Sequence, residues 1–191
     1  MFLTEEQIKK IKFKSIGKNV LISDKASIYG ADNISIGNNV RIDDFCILSG
    51  KITLKNNIHI GAGSMIFAGN VGITFDDFSC ISSRCAVYAI TDDYTGFFMT
   101  NPTIPNKYRK VTKIKTSIGK HCVIGTGSTI LPGANIADGT SVGAMSLILK
   151  PTEKWKIYAG IPAIPIAERQ KSILHLEQEY IEHQLFQEIK K

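Results

Sequence analysis

An aliphatic side chain returns at every sixth residue through most of this chain, and very few folds accept that period. The series runs Ile16, Ile22, Ile28, Ile34, shifts by two residues, and resumes as Ile36, Ile42, Leu48, Leu54, Ile60, Ile66. It continues through Phe75, Ile81, Val87 and then Ile118, Ile124, Ile130, Ile136, Val142, Ile148. All nineteen positions hold Ile, Leu, Val or Phe, which together make up about 29% of the 191 residues. A helix repeats at 3.6 and a strand at 2, so neither explains the pattern. A coil of short parallel strands joined by tight turns does, with one large and one small side chain per hexad pointing inward. The position four residues after the aliphatic one is accordingly in most hexads small or β-branched, as at Val20, Ala26, Val40, Cys46, Ser64, Ser79, Cys85, Cys122, Ser128, Ala134, Thr140 and Ser146. Glycine often follows the aliphatic residue, as at 17, 37, 61, 119, 125 and 143, where a corner is needed. Three hexads close one turn of a triangular prism, so residues eighteen apart stack at about 4.8 Å.

The two ends read as helices, and one segment breaks the period. Thr4 is placed to cap a first helix, with Gln7 completing a capping box and Leu3 stapled against Ile8. The expected organisation is a helix over 1–14, a β-helix over 15–166 and a terminal helix over 167–191, with Leu174, Ile181, Leu185 and Ile189 on its apolar face. From about 93 to 113 no hexad is legible, and a loop of this length in a compact domain marks function. Between Tyr94 and Ala137 there is no Asp or Glu, yet Lys107, Arg109, Lys110, Lys113, Lys115 and Lys120 fall there. Such a field suits a polyanionic small molecule. Aromatics are not interleaved with these cations as stacking platforms, which argues against nucleic acid. No apolar run reaches the roughly 18 residues of a membrane span, and the acidic, polar N-terminus is unlike a signal peptide, so a cytoplasmic protein is expected. Cys46, Cys80, Cys85 and Cys122 form no CxxC pair, which points away from a zinc knuckle or a disulfide framework.

With this repeat the sequence resembles the hexapeptide-repeat acyltransferases over roughly residues 16 to 166. The resemblance implies an all-β, left-handed parallel β-helix, an acyl-CoA co-substrate (acetyl-CoA above all), no metal, and a homotrimer with active sites between prisms. Thr91-Asp92-Asp93-Tyr94-Thr95-Gly96, with Met99-Thr100-Asn101-Pro102, is similar to a sub-group acting on nucleotide-linked sugars in bacterial surface-polysaccharide synthesis. The likeness implies pantetheine contacts at Gly125, Gly127, Gly143 and Ala144. It implies Lys150, Gly160, Ile161, Pro162 and Arg169 around the nucleotide end of the cofactor, and Asp93, Tyr94, Asn101 and Arg109 on the acceptor.

The catalytic pattern departs from the sugar O-acetyltransferases, which place a histidine just before the loop; here Tyr88 to Tyr94 contain none. His121 is the remaining imidazole candidate. Asp92 is a further catalytic candidate, able to take the proton shed by the intermediate; it is adjacent to Asp93, so the two carboxylates face opposite ways in an extended segment. If the loop replaces most of one hexad, Ser83, Lys120 and Asp138 stack on one edge, with Ser83 and Asp138 two coils apart and able to relay a proton through water or substrate. Asp138-Gly139 also reads as a simple turn. The absent base favours an amine acceptor, because an amine freed of one proton attacks a thioester without a strong base. Transfer to a hydroxyl is the alternative. A zinc carbonic anhydrase would need three histidines around a metal, against His59 and His121 in the coils. A structural or binding β-helix would carry regular outward ladders and no insertion.

Overall fold

The computed structural model describes residues 1–189, with side chains through Phe186, and in it nearly every hexad forms one short parallel strand of a triangular prism. Three columns of stacked residues fill the interior. Ile22, Ile42, Ile60, Ile81, Ile124 and Val142 pair in succession on one face. Ile28, Leu48, Ile66, Val87, Ile130 and Ile148 do so on the second. Ile16, Ile36, Leu54, Phe75, Ile118 and Ile136 complete the third. Of the nineteen periodic residues, all but Ile16 and Ile28 are buried. The small inward positions follow the same rule, and their hydroxyls are satisfied by neighbouring carbonyls: Ser64 Oγ donates to Ser82 O at 2.9 Å and Ser128 Oγ to Gly143 O at 3.0 Å. A parallel β-helix built on hexapeptide repeats is therefore the fold. No helix among the described residues is long and apolar enough to cross a membrane.

Three edges join the faces, each with its own chemistry. The amide edge stacks Asn19, Asn39 and Asn57, whose side chains hydrogen-bond in series at 3.0 and 3.1 Å. The glycine edge stacks Asp43, Gly61, Ser82, Gly125 and Gly143, each one residue beyond its buried isoleucine or valine. The loop edge absorbs the insertions. Ile118 pairs with Phe75 at a separation of 43 residues instead of 18, so the loop adds 25 residues and removes no hexad. This corrects the expected phase: Ile81 stacks on Ile124, not on Ile118. The neck of the loop is an antiparallel pair, Ile90–Thr91 against Thr112–Lys113.

The carboxyl-terminal end departs from expectation. Helix α1, Glu5–Ile11, starts at Thr4 with the capping box closed by Gln7, and Ile8 is buried. Residues 163–168, however, form a strand that folds back antiparallel on Lys156–Gly160, so Ala167 pairs with Ile157 and Glu168 with Lys156. Helix α2 is Ile173–Ile189 and begins only after this hairpin. Ile173 and Glu177 are half-buried against the prism and Tyr180, itself exposed, reaches Asn57 through its hydroxyl, while the expected apolar face of Leu174, Ile181 and Leu185 is exposed instead of docked. The face expected of Ile189 lies outside the described side chains.

Truncating Ile60, fully enclosed in the middle of its column, to Ala is expected to cost about 2–5 kcal/mol. Ile28→Ala, at a half-buried position on a terminal coil, is expected to cost distinctly less. Urea unfolding of the two variants checks this; equal losses would contradict the stacking registry.

Candidate active site

The glycine edge brings together eight of the residues that the sequence marks for function. Ser83 follows Ser82 on this edge, and its Oγ lies 3.4 Å from Thr126 Oγ1 on the next coil. Ala62 and Ala144 occupy the equivalent corners of the flanking coils, so the hydroxyl pair sits between two methyl groups. Thr126 carries no signal in the sequence, because its partner depends on the phase across the insertion. Gly125 is packed so closely that a Cβ there would run into the Ala144 amide. Gly127 has φ 72°, and a Cβ would collide with the Met145 sulfur. Higher on the same edge Gly143 N–H donates to Tyr158 O at 2.8 Å and Gly160 N–H to Ser146 Oγ at 3.2 Å. The turn through Ile161 and Pro162 then closes the hairpin. One continuous edge thus holds Ser83, Thr126, Gly125, Gly127, Gly143, Ala144, Gly160, Ile161 and Pro162.

The loop edge carries a second group. Asp92 accepts from Arg109 Nη2 at 3.3 Å and from Asn101 N–H at 3.2 Å, which ties the two sides of the loop together. Among the described residues, Arg109 Nε is buried without a hydrogen-bond partner. Asp93 faces the other way, as adjacent residues in an extended segment must, and accepts from Thr95 Oγ1 at 2.8 Å and from the Gly96 and Phe98 amides. The Thr95 hydroxyl and these amides hold its carboxyl below the usual aspartate value. Tyr94 and Phe97 are almost fully exposed at the tip, and Lys150 lies on the same edge beyond Ile148. Lys107 and Lys110 lie over Tyr108 and Phe98, so the basic character of the loop remains at its surface.

The amide edge collects the residues that do not join either group. Lys120 N–H donates to Asp138 Oδ1 at 3.1 Å, and Lys154 Nζ pairs with Oδ2 at 2.9 Å. The Lys154 contact holds the Asp138 carboxyl below its ordinary value. The expected stack of Ser83 with Lys120 and Asp138 is therefore not formed; Ser83 lies across a full face because the loop adds to the coil count instead of replacing a hexad. His121 is buried beneath α2, stacked on Phe78 at 5.3 Å, with Nε2 2.8 Å from Glu177. Arg169, expected beside Gly160 to Pro162, instead sits at the opposite end of the hairpin, where Nη1 donates to His121 O at 2.6 Å and Gly139 O at 3.0 Å. An apolar groove of about 480 Å³ runs under α2 here, lined by Phe78, Cys80, Leu176 and Tyr180 among others. It holds no hydroxyl pair and no glycine corners, and α2 covers it.

The cysteines offer no nucleophile at neutral pH. Burial pushes the Cys122 thiol up to about 12 and raises Cys46, Cys80 and Cys85.

Residues 115–150 match the family described as bacterial transferase hexapeptide (six repeats). The dTDP-4-amino-4,6-dideoxy-D-glucose acyltransferase of Escherichia coli is 46% identical over 179 residues, covering 92% of this chain and 93% of that protein. AntD, an N-acyltransferase from Bacillus cereus, has been solved as a serine variant in complex with dTDP-4-amino-4,6-dideoxyglucose and coenzyme A. It is similar with a TM-score of 0.92 and 48% identity, over 95% of this chain and 98% of that one. AntD in complex with dTDP and 3-hydroxybutyryl-CoA gives a TM-score of 0.92 and 49% identity, over 96% and 97% of the two chains.

The clasp of α2 generates a pH prediction. Burial pushes the Glu177 carboxyl up, but the hydrogen bonds and charges of Lys120 and His121 outweigh it and hold it below the ordinary glutamate value of 4.5. A depressed carboxyl stabilises the docked helix above that value, and the stabilisation is lost as pH falls through the folded-state value. Trp155, the one tryptophan, lies 6.4 Å from His121 and reports the contact. Its fluorescence is expected to change on acidification below about pH 4.5 in the native chain, with that step missing in Glu177→Gln. An unchanged step in the variant would contradict the assignment.

Proposed function

The chain belongs to the bacterial hexapeptide-repeat acyltransferases, alongside the Escherichia coli dTDP-4-amino-4,6-dideoxy-D-glucose acyltransferase, and from that membership we propose its reaction and its site. The enzyme transfers an acyl group from acyl-CoA to the amino group of a dTDP-linked 4-amino-4,6-dideoxy sugar, a building block of bacterial surface glycans. The amine nitrogen attacks the thioester carbon, the tetrahedral intermediate expels sulfur, and the products are an amide and free coenzyme A, with one proton passing from nitrogen to solvent or thiol.

The observation that carries this reading is the composition of the glycine edge. Ser83 and Thr126 present hydroxyls among glycines and alanines, with no imidazole beside them. The two carboxylates lower on that edge are already engaged: Asp43 with Arg41 and His59, Asp44 with Ser23 and Lys25. His121, the base that hydroxyl transfer would require, is shut under α2 on another edge. A sugar hydroxyl would find the imidazole lower on that edge, His59, already bonded to Asp43 at 2.7 Å, whereas an amine needs only to lose its ammonium proton, which surrounding positive charge favours. Ser83, backed by Thr126, relays the proton released from the intermediate, and corner amides stabilise its oxyanion.

In this reading the pantetheine arm follows Gly125, Gly127, Gly143 and Ala144 toward Gly160, Ile161 and Pro162. Asp93, Tyr94, Asn101 and Arg109 hold the acceptor from the loop, with Asp92 bracing Arg109. Loop and glycine edge are separated by a face of the prism in one chain. A homotrimer unites them, each loop reaching the glycine edge of the next copy by cyclic symmetry. The cytoplasm, where nucleotide sugars and acyl-CoA are made, is the compartment that fits.

The test is turnover of acetyl-CoA or 3-hydroxybutyryl-CoA with dTDP-4-amino-4,6-dideoxyglucose, followed by mass spectrometry. An amide product is expected. Ser83→Ala is expected to lower kcat about ten- to hundredfold, and His121→Ala to retain most activity. Acylation of a sugar without an amino group, combined with a thousandfold loss at His121, would overturn the reading in favour of O-transfer.

A further inference from the structure

The chain has four arginines, and three already have partners. Arg41 Nε meets Asp43 at 2.7 Å, Arg109 Nη2 meets Asp92 at 3.3 Å, and Arg169 donates to two carbonyls. Arg84 is the exception: among the described residues nothing pairs with its guanidinium, and it is exposed on the glycine edge immediately after Ser83. Its backbone is nonetheless fixed. The Arg84 N–H donates to Ala62 O at 2.9 Å, and φ is 57°. Gly63 lies on the coil below, and a Cβ there would stand 3.4 Å from Arg84 Cγ, so the stem of the arginine lies across the glycine. Met145 covers Gly127 in the same manner two coils on. The hydroxyl pair of Ser83 and Thr126 is thus bordered by one cationic and one apolar side chain.

We propose that Arg84 binds the diphosphate of the nucleotide-linked acceptor. The inference rests on the reading that Ser83 marks the point of acyl transfer, and reach then decides between the two co-substrates, since both carry a diphosphate. In a 4-amino hexose nucleotide it is attached to the anomeric carbon, one ring width from the reacting amine. In acyl-CoA the whole pantetheine arm separates it from the thioester. A guanidinium on the residue next to Ser83 spans the first distance and falls short of the second. The planar fork of arginine matches phosphate oxygens in a bidentate way, and an exposed, unpaired guanidinium breaks no internal contact on binding.

Calorimetry on the full chain tests this with dTDP and CoA as separate probes, for the native protein, Arg84→Gln and Arg84→Lys. Arg84→Gln is expected to weaken dTDP about tenfold or more, the size of one lost charge-assisted contact, and to leave CoA within about twofold. Arg84→Lys, a point charge without the fork, is expected to fall between. A loss confined to CoA would assign Arg84 to the cofactor instead, and unchanged dTDP affinity would remove it from the site; either overturns the proposal. If the native protein acylates the amino sugar while Arg84→Gln binds dTDP normally, only the Arg84 assignment falls. If the native protein binds no dTDP at all, the acceptor class falls with it.

Discussion

The pairing of one large and one small inward side chain in every hexad is the constraint from which the rest of the molecule follows. Ile81 above Ile60 and below Ile124, with Ser64, Cys85 and Ser128 filling the corners, leaves no inward room for anything else. A core so regular fills its own interior, and the chemistry is displaced to the three edges. There the stacking acts a second time. Residues distant in sequence, such as Ser83 and Thr126, become neighbours at the spacing of adjacent strands.

Each edge has used this repetition differently. On the amide edge it yields a ladder of asparagines, stiffened by α2 through Glu177 and by Tyr180 bonding Asn57. Polar groups there are satisfied from within, so the edge holds structure. The glycine edge does the reverse: glycines and alanines strip it of side chains, and a ligand can lie against backbone. The loop edge breaks the repetition, and two adjacent carboxylates, Asp92 and Asp93, organise the break by taking partners on opposite sides. Positive charge collects on the loop edge and at Arg84 beside Ser83, which suits co-substrates that both carry diphosphates.

The hexad period is legible in the sequence because burial enforces it residue by residue, and the capping box at Thr4 and Gln7 because its bonds are local. Phase across the insertion is not legible. Nothing in residues 92–111 reveals whether a loop adds to a coil or replaces part of it, and a single hexad of error moves Asp138 to the wrong edge. Thr126 stays hidden for the same reason. The hairpin before α2 is masked because Ala167 and Glu168 also fit a helix start, and Pro165 falls on an edge strand where it is tolerated. Arg169 is suggested for the cofactor by its position in a motif, but its partners are carbonyls brought close only by the fold.

Everything in the proposed chemistry turns on acyl transfer taking place on the glycine edge at Ser83, away from the imidazole under α2. A crystal structure of this protein with coenzyme A and dTDP bound would decide the point. The pantetheine arm is expected to run along Gly125, Gly127 and Gly143, with its sulfur beside Ser83. Density for that arm along the amide edge, with the sulfur near His121 and Asp138, would contradict it.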